Sequence, residues 1–90
     1  MKIILVPKWI LPFGYGLALY KLALVRKDSP KISYIIAHEA EHVRQWTEIG
    51  FFKFPFLYLV ELIKRGYHFN KYEVLARNEG EKNEFLYEVD

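Results

Sequence analysis

The sequence predicts a small α+β fold: a short N-terminal β-hairpin or ribbon followed by three α-helices. Three observations predict it. β-type runs are confined to the first 27 positions, a helical apolar period begins after Asp28-Ser29-Pro30, and Gly50, Gly66 and Asn70 divide the remainder into three segments. Ninety residues are the size of one minimal domain, 1–90, partitioned as ribbon 1–27, first helix 28–50, second helix 51–66, and third helix with acidic tail 70–90.

Lys2 to Val6 is a β-type run ended by Pro7. Pro12, Gly14 and Gly16 then mark a turn or irregular connection. Leu17 to Arg26 reads as one second strand, apolar on both faces and therefore expected to be covered on both sides. Ser29 or Asp28 can cap the first helix and Pro30 suits its first turn, so it should run from about Pro30 to Ile49 and stop at Gly50. At about 100° per residue, Ile32, Ile36, Val43 and Trp46 share one arc, with Glu41, Arg44 and Glu48 opposite. Phe51 to Arg65 is apolar nearly all round and reads as the core helix, stopped by Gly66. Asn70 can cap a third helix from Lys71 to about Glu84.

Composition narrows the function. The chain is 52% hydrophobic with two Trp, seven Tyr and seven Phe, which excludes disorder. Absence of cysteine excludes disulfides, thiolate metal sites and cysteine nucleophiles. A core this small is helped by a metal or a partner, and a homodimer fits that need. Net charge is +2, too balanced for electrostatic nucleic-acid binding. Its distribution is uneven: residues 1–45 carry seven basic against three acidic side chains, residues 46–90 six against eight. No apolar run reaches the ~18 residues of a membrane span. Trp9 to Tyr20 is too broken by Pro12, Gly14 and Gly16 to serve as an export signal, so the expected location is cytoplasmic.

His38-Glu39-Ala40-Glu41-His42 has the pattern H-E-x-x-H. On a helix, residues four apart lie on one face, so both imidazoles can point at one ion. Glu39, one position on, can reach the open side of that ion and take a proton from its water. Shuffling this composition produces the pattern roughly once in 150 trials, and here it falls inside the most regular helix of the chain. Catalytic zinc needs a third protein ligand. Glu48 falls on the wrong face and Glu61 in the presumed core helix. Glu73 and His68 remain; Glu73 lies 31 residues after His42, enough chain for a helix to return antiparallel. Ala76, one turn later, would let two helices approach closely. Glu73 can instead form a capping box with Asn70.

HEAEHVRQW, the aromatic-rich helix after it, and the later Tyr67…YEVLAR segment resemble the gluzincin metallopeptidases, and most closely their very small members, the minigluzincins. PFGYGLALYKLALVRK resembles the β-ribbon that precedes their active-site helix. The likeness covers about residues 10–80. It implies a zinc-dependent peptidase in which His38 and His42 are ligands, Glu39 is general base and acid, and Glu73, on a "glutamate helix", is the third ligand. It further implies hydrolysis of a peptide or protein substrate by a zinc-activated water. Many gluzincins carry an aspartate four residues after the ligand glutamate, buttressing a histidine. Arg77 occupies that position here, so second partners for the ligands must come from elsewhere.

Tyr67, His68 and Tyr72, near the entry to the third helix, are the candidates for oxyanion or substrate contacts. Glu84, Glu88, Asp90 or the terminal carboxylate can occupy the open metal position and make the enzyme latent, as in a zymogen. Two readings compete with the peptidase: a non-catalytic, zinc-stabilised binding module, and a membrane-surface or partner-helix module built on Phe51 to Ile63. The Phe and Leu content of that segment is more economically explained as core.

Overall fold

A computed structural model describes the backbone of residues 1–87. The α+β fold is as expected from the sequence: a small sheet followed by three helices. The sheet, however, has three strands, β1 (Lys2–Val6), β2 (Gly16–Leu19) and β3 (Leu22–Arg26), in the order β1-β3-β2. Leu17 to Arg26 is thus a tight hairpin and not one strand. β2 and β3 pair antiparallel, with Leu19 opposite Leu22, and β1 pairs parallel to β3, with Val6 opposite Arg26. The turn passes through Tyr20 at φ 57°, a left-handed conformation rarely taken by an aromatic residue. No glycine, asparagine or proline marks it. The Tyr20 ring holds it in place, edge-on to Phe51 at 5.2 Å and tilted against Trp46 at 6.5 Å.

The first helix, α1 (Ile32–Ile49), packs on β2, β3 and both later helices and forms the centre of the fold. Its predicted side-chain cap is absent: Asp28 pairs instead with Arg26, and the Ser29 hydroxyl donates to the Arg26 carbonyl at 2.8 Å. Gly50 does end the helix, at φ 130°, its N–H donating to the Trp46 carbonyl at 2.9 Å. Ala18 and Ala23, paired across the hairpin, pack with Ile3 against Val43 of α1. Their small side chains set the helix close to the sheet.

The second helix, α2 (Lys53–Phe69), is not the core helix. Of its residues only Phe54 is buried. Gly66 (φ 75°, ψ 174°) breaks its regular turns, and one further turn, Tyr67 to Phe69, leads to Asn70. The third helix, α3 (Lys71–Asn83), starts as predicted, with the Asn70 side chain accepting from the Tyr72 N–H at 2.9 Å. It lies against α1 through Ala76, wholly buried, and Gly80, where a Cβ would come within 2.9 Å of the Tyr34 ring. A short 3-10 turn, Glu84–Tyr87, follows.

Candidate metal centre

α1 and α3 together build the site. Positions 38, 39, 42 and 45 occupy one side of α1, and Glu73 comes from the first turn of α3. His38 Nε2 and His42 Nε2 each lie 3.1 Å from the same atom, Glu73 Oε1. These three groups can hold a metal ion, with one donor atom from each and all three within 4.8 Å of one another. The two 3.1 Å separations to Glu73 are close to the edge, about 3.3 Å, of a tetrahedron drawn around an ion with bonds of about 2.0–2.1 Å.

Hydrogen bonding tests the fit. His42 Nδ1 is 3.0 Å from Gln45 Oε1, and Gln45 Nε2 donates to the Tyr72 carbonyl at 3.1 Å. The Tyr72 carbonyl accepts only, so it fixes the orientation of the Gln45 amide and turns its oxygen toward His42. That oxygen requires a proton on Nδ1. In the neutral imidazole the Nε2 lone pair then faces the Glu73 carboxylate, acceptor against acceptor. A cation must lie between them, either a proton on Nε2 or a metal ion. The donor set of two imidazoles and one carboxylate suits zinc among other divalent metals.

The charges agree. Burial resists ionisation of His42, but the Glu73 carboxylate outweighs it and His42 is pushed above its ordinary value of 6.5. For Glu73 burial likewise favours the neutral acid, yet hydrogen bonds from His38, His42 and Tyr58 hold it well below the usual carboxylate range. The Tyr58 hydroxyl donates to Glu73 Oε2, and the Asn70 amide donates to the Tyr58 carbonyl at 3.2 Å. Glu73 therefore faces the histidines and does not close a capping box with Asn70.

Glu39 is buried beside the two histidines, and burial raises its carboxyl above 4.5 against the pull of His42 and His38. Among the described residues no side chain hydrogen-bonds its carboxylate. It lies against β2, where a Cβ on Gly16 would come within 2.8 Å of Glu39 Oε2 and 2.9 Å of its Cγ. Gly16 is required there for close approach.

These groups open into a cleft of about 1070 Å³, walled by β2 on one side and by Phe54, Leu59 and Tyr67 of α2. Tyr67 and His68 line it. Burial of the hydroxyl, then the charges of Glu73 and Glu39, raise the Tyr67 phenol above 10, so it remains a proton donor at neutral pH. His68 is outside the ligand cluster. Tyr72 is buried in the core, edge-on to Phe54 at 5.2 Å, and does not line the cleft. Glu84 is exposed and away from the cleft, while Glu88 and Asp90 lie outside the described residues. Arg77 donates to the His68 carbonyl and ties α3 to the end of α2.

Gln45 and Tyr58 were missed from sequence. Gln45 carried a signal, three residues after His42 on the same face. Tyr58 carried none, being one aromatic among many. No family model matches the chain, and no curated protein or solved structure does either.

Proposed function

We propose that this chain is a small zinc-dependent metallopeptidase. One observation carries the reading: two imidazole nitrogens and one carboxylate oxygen converge on a point at the floor of an open cleft, with a second carboxylate, unbonded, beside them. When bound, zinc supplies Lewis acidity toward a peptide carbonyl and a water acidified toward neutral pH. The chain supplies the rest. Gln45 fixes the His42 tautomer, and Tyr58 fixes Glu73. Glu39, raised by burial, is suited to hold the proton taken from the water and return it to the leaving nitrogen. β2 is a sheet edge and its residues border the cleft, so an extended peptide can pair with it. Tyr67, a phenol lining the cleft, is the candidate donor for the oxyanion.

A second reading, a non-catalytic zinc-stabilised binding module, has one observation in its favour. The cluster joins α1 to α3, and a metal there would staple two helices whose core is small. Glu39→Gln separates the two. A peptidase loses chelator-sensitive cleavage of a casein or peptide-library substrate and keeps its metal. A wild-type protein that holds one zinc per chain and cleaves nothing supports the module and contradicts the peptidase.

A further inference from the structure

α2 is the most exposed apolar element of the molecule, and its exposed side chains are ordered. Phe52 (83% exposed), the residue that leads into α2 with helical backbone angles, and Phe56 (65%), Leu59 (52%) and Ile63 (77%) succeed one another at spacings of four, three and four. At about 100° per residue they fall within an arc of roughly 60°. Phe54, the one fully buried residue of α2, points the opposite way and anchors the helix inside together with Tyr58. Phe13, also exposed, lines the same cleft as Leu59, and the 7–15 loop that holds it carries exposed Lys8 and Trp9.

Charge around the stripe is basic. Lys53 and Lys64 are exposed and share one flank, about 100–120° from Phe52. Among the described residues neither has an acidic partner. The one acidic residue of α2, Glu61, is on the opposite side, spent on Arg65 at 3.4 Å and on the Lys71 N–H at 3.2 Å. Among the described residues no helix is long and apolar enough to cross a membrane. A helix of this kind, with a narrow apolar stripe and basic flank, lies in the plane of an anionic lipid interface. A second copy fits less well: antiparallel two-fold pairing through the stripe would set Lys53 of one helix beside Lys64 of the other.

We propose that the Phe52–Phe56–Leu59–Ile63 face of α2, with Lys53 and Lys64, is a docking surface for an anionic lipid bilayer, on which the protein rests with the mouth of its cleft near the membrane plane. The surface shares Leu59 with the cleft wall, but Phe52, Phe56, Ile63, Lys53 and Lys64 lie outside the cleft and take no part in the metal centre.

Vesicle co-sedimentation of the full chain tests it. Wild type should sediment with a roughly 3:1 phosphatidylcholine–phosphatidylglycerol mixture and bind phosphatidylcholine alone at least tenfold more weakly. Phe56→Glu/Ile63→Glu, two exposed positions outside the cleft, should bind the mixed vesicles about a hundredfold more weakly with an unchanged circular dichroism spectrum. Lys53→Ala/Lys64→Ala removes no apolar contact and should lose about thirtyfold on the mixed vesicles. The proposal is overturned if wild type stays in the supernatant with mixed vesicles, or binds neutral vesicles equally well. It is also overturned if sedimentation velocity shows a lipid-independent dimer that Phe56→Glu/Ile63→Glu dissolves, which would make the stripe an interface between copies.

Discussion

Gln45 is the residue on which the geometry of the candidate centre turns. It is 3% exposed, its oxygen faces His42 Nδ1 at 3.0 Å and its nitrogen donates to the Tyr72 carbonyl at 3.1 Å. Gln45→Ala strands the buried His42 Nδ1–H and takes from the Tyr72 carbonyl, already bonded within α3, its second hydrogen bond. At about 1–3 kcal/mol for a stranded buried group, the metal-free protein should lose about 1–3 kcal/mol, a sizeable part of the ~5–15 kcal/mol typical of a small domain. The imidazole also loses its tautomer lock, which should weaken zinc binding by about 10–100-fold. Gln45→Glu divides the two effects. It restores an acceptor to His42 but sets a carboxylate oxygen against the Tyr72 carbonyl, so zinc affinity should recover most of the loss while stability stays about 1–3 kcal/mol low. Urea denaturation of chelator-treated protein reads the first quantity and competitive zinc titration the second. Gln45→Ala with reduced stability and unchanged zinc affinity would refute the tautomer argument and leave Gln45 as a packing residue.

Other positions give sharper separations. Gly16→Ala places a Cβ within 2.8 Å of Glu39 Oε2, so any hydrolytic activity should fall at least tenfold while zinc content stays at the wild-type value, measured by elemental analysis. Ala76→Leu forces a large side chain into a fully buried contact between α3 and α1, and should cost about 1–3 kcal/mol in urea denaturation and weaken zinc binding with it. The pH dependence has a definite sign. His42 is raised above 6.5, so its pairing with Glu73 contributes fully below pH 6.5 and is lost as pH rises through the raised value. Glu73 is lowered below 4.5, so its contribution is present above pH 4.5 and is lost only as pH falls through the depressed value. Metal-free protein should therefore be more stable near pH 5.5 than at pH 8.5 by urea midpoint. Zinc competes with the His42 proton, so its affinity should rise over the same interval.

Much of this was legible in the chain. His38, Glu39 and His42 need only helical spacing to meet, and local geometry supplied it. Glu73 needed tertiary structure, but Asn70 fixed the start of α3 and Ala76 marked where it could approach. Three features were not legible, each for a physical reason. The turn at Tyr20 is held by Trp46 and Phe51, long-range aromatic contacts that leave no local turn signature. The first helix lacks its side-chain cap because Arg26, buried against the Tyr15 ring at 4.7 Å, takes Asp28 first. α2 reads as core because periodicity counts apolar side chains and not the surface available to cover them. With the sheet and α3 already on α1, only the Phe54 side of α2 finds a partner.

The direct test of the centre is zinc titration of chelator-stripped protein, compared with His42→Ala and Glu73→Ala. One zinc per wild-type chain, with affinity at least a hundredfold weaker in each variant, is the predicted result. Wild type that takes up no zinc, or variants that hold it as tightly as wild type, would contradict a His38–His42–Glu73 metal centre.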